Sequence, residues 1–264
     1  MTVPAEQVIR VTLFVGVLLL VALWEAIAPR RPRRDNRNKR WCINIALAVI
    51  DTTAVRFLFP ILPAALSQMA ETRGWGLLNQ VNLPLWLAII FSVIILDFII
   101  YLQHRLFHRA PLLWRLHRMH HTDLDLDVTS GIRFHPLEIA VSTGIKMAAV
   151  ILFGIPAPAV LIFEVTLNAC SLFNHGNIRL HPALDRRLRL FMVTPDMHRV
   201  HHSTIVRETN SNFGFNLPWW DHLCGTYRPQ PEKGHLDMTI GLKEYRDPRQ
   251  LTLFRLLHLP FTPR

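Results

Sequence analysis

Apolar residues occur in a few long runs, with the polar residues gathered between and after them. Residues 11–29, 42–66 and 83–103 are nearly uninterrupted in their hydrophobicity, and each is long enough to cross a hydrocarbon core about 30 Å thick. A further apolar stretch, 137–173, is broken by Gly-Ile-Pro-Ala-Pro at 154–158, which predicts a helical hairpin. The pattern therefore predicts an all-α integral membrane bundle with about four spans, the last of them a broken or hairpin segment.

Proline and charge refine this picture. Pro60 and Pro63 predict a kink in the second span. Residues 30–41 hold seven Lys or Arg and a single acid, so the positive-inside rule places this segment in the cytoplasm. Two crossings later the third span returns to that side, and a hairpin at 137–173 keeps the following residues there. We therefore predict a multi-pass membrane protein (inner or plasma membrane if bacterial) with a cytoplasmic helical cap.

Overall composition agrees with a membrane location. Half of the residues are hydrophobic and 18% are charged, against about 25% charged in ordinary soluble domains. The net charge of +10 does not indicate nucleic-acid binding, because the basic residues are concentrated beside apolar runs. The three cysteines are far apart and form no CxxC pair, which favours neither a disulfide framework nor a thiolate metal site.

Histidines are concentrated where the third span ends. His104 and His108 are four residues apart, so on a helix they share one face, with Asp97 and Tyr101 on the same stripe. A carboxylate inside an apolar span is energetically expensive and is usually functional. We expect Asp97 to accept the outer N–H of a metal-bound imidazole and so to fix its tautomer.

Two HxxHH motifs complete the histidine pattern. Each places its three rings at positions i, i+3 and i+4, which directs them to one side of a helix. Together with HxxxH they supply eight imidazoles, enough for two metal ions, and neutral imidazole suits Fe, Zn, Cu and Ni. The six residues of the two motifs are His117, His120, His121, His198, His201 and His202.

These motifs, in this order, resemble the fatty acid hydroxylase or sterol desaturase superfamily of integral-membrane, non-haem di-iron enzymes. Other segments between about 95 and 230 agree. The sequences DFIIYLQHRLFH, FHPLE, LFNHGNI and TPDMHRVHHS, and the later NSNFGFNLPWWDHLCGTY, are similar to elements of that family. The resemblance implies a catalytic domain at 84–230, preceded by membrane helices and a basic loop at 1–83 and followed by a C-terminal tail at 231–264.

The resemblance also assigns roles to individual histidines. The eight clustered histidines match metal ligands, and His175 in NHGN matches a ninth. His135 matches a position with a supporting or structural role, and His181 matches a ligand only in branches with a longer motif. It implies no catalytic residue beyond the metal centre. His222, His235 and His258 lie at variable positions or outside the motifs.

The family's chemistry is O₂-dependent attack on a C–H bond of a lipid, by hydroxylation or desaturation, at two non-haem irons, with zinc able to replace iron on purification. The resemblance also implies an external electron donor, such as a ferredoxin, a cytochrome b5-like protein or a reductase. An acidic donor or a lipid phosphate could dock on nearby arginines, and the same arginines could instead anchor the domain to anionic lipid headgroups at the membrane surface. Two alternatives remain open from the residues alone, a zinc-binding membrane hydrolase and a metal transporter. The arginines are Arg105, Arg109, Arg115, Arg118 and Arg199.

Overall fold

The computed structural model describes residues 3–33 and 36–262, with side chains from Glu6 onwards. Its regular elements are all helical over that part of the chain, which confirms the predicted all-α class. The longer helices are α1 (Val3–Ile27), α2 (Arg37–Leu58), α3 (Pro63–Thr72), α4 (Leu85–Arg109), α5 (Pro111–His121), α6 (Pro136–Phe153), α7 (Ala157–Asn174), α8 (Pro182–Leu188) and α9 (Pro195–His201). Shorter ones follow: α10 (Val206–Thr209), α11 (Trp219–Leu223), α12 (Gly234–Asp237) and α13 (Leu253–His258). Single 3₁₀ turns occupy Leu77–Gln80, Val128–Ile132, Pro248–Gln250 and Leu259–Phe261.

Five helical stretches are long and apolar enough to cross a membrane: α1, residues 37–80 beginning with α2, α4, α6 and α7. This confirms a multi-pass character, with five such helices where the sequence predicted about four spans. The difference arises because the stretch 137–173, predicted as a broken or hairpin segment and counted as one span, consists of two helices of 18 residues each, α6 and α7. How many of the five cross the bilayer stays a prediction.

The break between α6 and α7 is a tight glycine turn. Gly154 has φ +67°, a left-handed conformation that favours glycine, and its amide donates to the Val150 carbonyl at 3.0 Å. Pro156 then precedes the first residue of α7. A Cβ at Gly76 would lie 2.0 Å from the Gly154 amide nitrogen, so the loop after α3 is held directly against this turn.

The second predicted span differs from the expectation of a kink. Helix α2 ends at Leu58, and a separate short helix, α3, begins at Pro63. Proline is favoured in the first turn of a helix, where its missing N–H has no partner to lose. Helix α3 then packs on α6 and α7, with Leu66 in a core that includes Leu96 of α4 and Phe163 of α7.

An ion cluster joins three of the apolar helices. Arg10 of α1 lies 2.6 Å from one carboxylate oxygen of Glu164 on α7, and the other oxygen pairs with Lys146 of α6. Charged groups among apolar helices are costly unless they are paired. The cluster therefore favours one arrangement of α1 against the α6–α7 hairpin.

The ends of several long helices meet on one side of the bundle. Glu25 near the end of α1 accepts hydrogen bonds from the amides of Val128 and Asn177, each at 2.7 Å. Arg40, in the first turn of α2, is buried against Asp123 and Asp127. Helix α4 ends, α6 begins and α7 ends at this same level. The histidine-bearing segments lie there.

The last part of the chain folds back over this side. Leu251, Leu256 and Leu259 are buried together with Leu47 of α2 and Met119 of α5. Arg118 also donates to the Leu259 carbonyl at 2.5 Å. The stretch described as a tail from its sequence is thus packed against α2 and α5 up to residue 262.

Candidate metal centre

All nine histidines of the predicted ligand set converge, and they do so in two groups. Within each group the ring nitrogens that could bind one ion lie within 4.8 Å of one another. The five-histidine group contains His104, His108, His117, His121 and His201. The four-histidine group contains His120, His175, His198 and His202.

The two HxxHH motifs are divided between these groups in a reciprocal way. His117 and His121, one turn apart on α5, belong to the five-histidine group, whereas His120 between them belongs to the other. At the end of α9, His198 and His202 form an i, i+4 pair in the four-histidine group, and His201 crosses to the first. Residues i and i+4 share a helix face, and the i+3 position is rotated away from position i+4 by about 100°. Each motif therefore contributes to both groups.

Helix ends supply the remaining members. His104 and His108 occupy the last two turns of α4, and His175 is the C-cap of α7. Eight of the nine rings are buried, and His108 is half-buried. The site is thus assembled from four helices whose ends meet at one level, and the residues around it exclude most of the solvent.

Within each group the Nε2 atoms face one another at short distances. His117 Nε2 lies 3.1 Å from His104 Nε2 and 3.2 Å from His121 Nε2. His175 Nε2 lies 3.1 Å from the Nε2 atoms of both His120 and His198. These are the distances that decide whether a metal ion fits.

The opposite ring nitrogen, Nδ1, is held by an oxygen atom in six of the nine histidines. Because carbonyl, carboxylate and amide oxygens only accept hydrogen bonds, Nδ1 must carry the proton, which leaves Nε2 as a bare lone pair. The bonds run from His104 to Phe213 O (2.8 Å), His108 to Asn210 Oδ1 (3.2 Å), His117 to Glu138 Oε1 (2.6 Å), His120 to Arg133 O (3.1 Å), His175 to Ser171 O (2.7 Å) and His201 to Ser211 O (2.8 Å).

The donor set fits metal ions. The Nε2 lone pairs of His104 and His117 lie 3.1 Å apart, as do those of His120 and His175, and such lone pairs repel each other unless a cation lies between them. Two ligands at a right angle with metal–nitrogen bonds of about 2.1 Å lie about 3 Å apart. Burial, together with the neighbouring imidazoles, lowers the pKa of His120, His198 and His201 well below the ordinary value. Neutral imidazole is the form that binds metal. Nitrogen donors without carboxylates suit Fe, Zn, Cu or Ni.

Asp97 does not hold an imidazole, which corrects the prediction from the sequence. One oxygen of its carboxylate accepts from Trp220 Nε1 at 2.7 Å and from the Leu217 amide at 3.3 Å. Asp97 lies seven positions before His104, which is about 10 Å along the helix axis. The two side chains therefore share a face of α4 but lie at different depths in the helix bundle. Tyr101 shares a hydrogen bond of 2.9 Å with Thr226 Oγ1. Both residues anchor the 213–227 segment.

That segment reaches the site through Phe213. The amides of Phe213 and Gly214 each donate to Asp221 at 2.8 Å, and Thr226 Oγ1 donates to the same side chain at 2.7 Å. The Phe213 carbonyl then accepts from His104. Asp97 and Tyr101 therefore act on His104 indirectly, by fixing the loop that holds its ring.

His135 and His181 belong to neither group. Each is the N-cap of a helix, with Nδ1 accepting the amide of the residue two positions on, and His135 also donates from Nε2 to the Leu257 carbonyl at 3.1 Å. His181 is exposed. His222, His235 and His258 also lie outside both groups.

Other residues that touch the histidines were missed from the sequence. Glu138 accepts a hydrogen bond from His117 and Asn210 accepts one from His108. Glu138 is the last residue of the FHPLE segment, in which only His135 was assigned a role. Two arginines predicted as docking residues are buried instead. Arg118 donates to backbone carbonyls near the chain end, and Arg199 pairs with Asp196, so neither can contribute to a docking surface.

Several characterised proteins are similar to this chain. Ornithine lipid hydroxylase OlsE of Rhizobium tropici is 27% identical over 236 residues, 86% of this chain and 69% of the relative. Human alkylglycerol monooxygenase is 30% identical over 60% of this chain, which corresponds to 35% of that enzyme. The fatty acid hydroxylase vlmA of Lecanicillium is 25% identical over 79% of this chain and 58% of its own length. The chain thus spans about a third to two-thirds of these relatives. No solved structure matches it.

The family comparison agrees with the resemblance found in the histidine motifs. A sequence model of the fatty acid hydroxylases matches residues 89–226, just over half of the chain, and this range contains all nine converging histidines. The chain therefore belongs to the fatty acid hydroxylase family.

Proposed function

We propose that this chain is a membrane di-iron oxygenase that uses O₂ to hydroxylate a C–H position of a bilayer lipid. The observation that carries the proposal is the pair of adjoining histidine groups, whose buried Nε2 atoms face one another at 3.1–3.2 Å while Nδ1 is held from outside in six of the nine rings. A pair of bound irons would supply the redox chemistry that breaking an unactivated C–H bond requires and that side chains lack.

The chain's own residues prepare the site for that chemistry. The Nδ1–H bonds fix the tautomer and orientation of six of the nine rings, so that each of these six presents a free Nε2. Burial excludes water from the site, which protects reactive species from side reactions. The helix ends hold the donors in place before any ligand arrives, so little reorganisation accompanies binding.

The substrate class follows from the relatives and from the location of the site. Proteins similar to this chain are named for ornithine lipid, alkylglycerol and fatty acid, and all three substrate types combine a polar end with an alkyl chain. The site lies where apolar helices end and polar segments begin. We infer that the lipid enters from the bilayer and that a separate redox protein supplies the electrons.

The site is proposed to face the cytoplasm. The basic segment 30–41 joins α1 to α2 at the same end of the bundle as the histidines, and positively charged loops favour that compartment. A reporter fused after the last residue should therefore be active on the cytoplasmic side. An external signal would contradict this orientation and leave the metal site unaffected.

The function is tested by metal analysis and product identification together. The chain purified from iron-supplied cells should contain close to two irons per chain, and cells that express it should accumulate a lipid heavier by one oxygen. Growth under ¹⁸O₂ should place the label in that product. Two bound zinc ions with no O₂-dependent product would favour the hydrolase alternative, and metal translocation into vesicles would favour a transporter.

Glu138 should influence metal affinity through His117. Replacing Glu138 by Leu removes the acceptor that holds His117 Nδ1 at 2.6 Å, and loss of such outer-shell partners typically costs about 10- to 100-fold in metal affinity or activity. Glu138→Gln retains an acceptor oxygen and is the matched control. Competition with a chelator of known affinity measures both variants. Equal affinity for Glu138→Leu and the wild type would contradict this role.

A further inference from the structure

One of the nine histidines is more exposed to solvent than the other eight. His108 is half-buried, whereas the other four members of its group and all four members of the other group are buried. Its Nε2 atom is nevertheless shielded from solvent and has no hydrogen-bond partner among the described residues. One edge of the ring therefore faces outward, while the nitrogen that could bind an ion lies inside the five-histidine group.

Two aromatic side chains other than histidines pack against the His108 ring, the buried Phe213, with ring centroids 5.1 Å apart, and the half-buried Trp114. The break between α4 and α5 at Ala110 and Pro111 turns the chain so that Trp114 lies against His108, with ring centroids 4.9 Å apart. The same indole lies 5.5 Å from the His121 ring and is itself half-buried. On another side, the exposed Asn210 accepts the His108 Nδ1–H.

We propose that the site is entered over His108 and that the Trp114 indole is the cover of this entrance. The five-histidine group is then the end of the site that small molecules reach first, and the four-histidine group lies behind it. Trp114 is a positioning residue, since it would limit access and orient the ring of His108. The effect of Trp114 on metal release rests on the proposed function, because it requires that the histidines bind metal. The location of the entrance does not rest on that function.

Two metal ions held in the two groups should leave at different rates. Zn²⁺-loaded protein mixed with excess EDTA should lose one equivalent in a faster phase and the other in a slower phase. Trp114→Ala should accelerate the faster phase about tenfold, because loss of a half-buried aromatic contact changes a barrier by roughly that factor. The slower phase should keep its rate.

Trp219→Ala provides the matched control. Trp219 is 45% exposed, donates its indole N–H to the Leu190 carbonyl, and makes no ring contact with the two groups among the described residues. Trp114→Phe retains an aromatic cover and should stay close to the wild type. Release of both ions in a single phase, or a faster phase that Trp114→Ala leaves unchanged, would overturn the proposal.

Chemical modification tests the entrance without metal. Diethyl pyrocarbonate acylates the unprotonated nitrogen of a neutral imidazole. In His108 this nitrogen is the shielded Nε2 atom, so its reaction requires the indole cover to open. Peptide mass spectrometry of the metal-free protein identifies which histidines react. Among the nine histidines His108 should react first, and faster in Trp114→Ala than in Trp219→Ala. Earlier reaction of His175 or His198 would place the entrance elsewhere. A chain that retains no metal but reacts first at His108 would contradict the proposed function and support the proposed entrance.

Discussion

Replacing His120 or His201 by alanine should abolish turnover while the chain still inserts and folds. Each substitution removes one Nε2 donor, His120 from the four-histidine group and His201 from the five-histidine group. We expect a loss of at least about 10³-fold in kcat, which corresponds to about 4 kcal/mol of lost transition-state stabilisation. Product formation in membranes from cells that express each variant measures this loss.

The two variants should differ in metal content. His120→Ala leaves three imidazoles in its group, and His201→Ala leaves four in the other. The first variant should therefore lose close to one equivalent of metal, and the second should retain more. Metal analysis of the purified variants distinguishes this outcome from general misfolding, in which both equivalents would be lost.

His181→Ala is the control for both substitutions. This histidine is exposed, caps α8 through Nδ1 and belongs to neither group, so its loss should leave both metal content and turnover close to those of the wild type. Full turnover by His120→Ala or His201→Ala would refute the assignment of the nine histidines as ligands.

The candidate site was largely predictable because its side chains carry distinctive spacings. HxxxH and HxxHH place rings on one helix face, and helix periodicity is a local property of the sequence. The division of each HxxHH between two groups was not predictable, because it depends on how α5 and α9 face each other. That arrangement is set by tertiary packing, in which Met119 and Met197 are both fully buried.

The partners of the histidines escaped prediction for a related reason. Four of the six Nδ1 bonds go to backbone carbonyls, at Arg133, Ser171, Ser211 and Phe213. Every residue has such a carbonyl, so no side chain marks the position. Asp97 shows the opposite case, a conspicuous side chain whose predicted role was wrong. Its charge suggested that it supports a metal ligand, but its position along α4 places it against Trp220.

Burial also determines the role of individual residues in the basic segment 30–41. The charge of residues 30–41 predicts a cytoplasmic segment, yet Arg31 and Arg40 are buried within the protein, with relative exposures of 5% and 7%. Arg31 donates to the Met238 carbonyl at 2.7 Å. A run of like charges thus contains residues that face inward, which its composition does not reveal.

Arg40 is the centre of a buried ion cluster beside the metal centre. Its guanidinium contacts Asp123 at 2.8 and 2.9 Å and Asp127 at 2.7 Å, and it also donates to the Asp125 carbonyl. Burial raises the pKa of Asp123, but the Arg40 charge and hydrogen bond outweigh it and lower that pKa to about 2. The Asp123 carboxylate therefore stays ionised. The cluster fixes the loop that leaves α5 directly after His121.

Arg40→Met should destabilise the protein strongly while retaining the volume of the side chain. It leaves Asp123 and Asp127 buried without this cation, and removal of one partner from a buried ion pair typically costs about 3–5 kcal/mol. Lys39→Met is the matched control. Lys39 is the residue next to Arg40 but is exposed, so its replacement should cost little free energy of unfolding. Denaturant unfolding in detergent measures both. The loop also sets the position of Arg133, whose carbonyl holds His120, so Arg40→Met should in addition weaken metal retention in the four-histidine group. Equal unfolding midpoints for Arg40→Met and Lys39→Met would show that the cluster does not stabilise the fold.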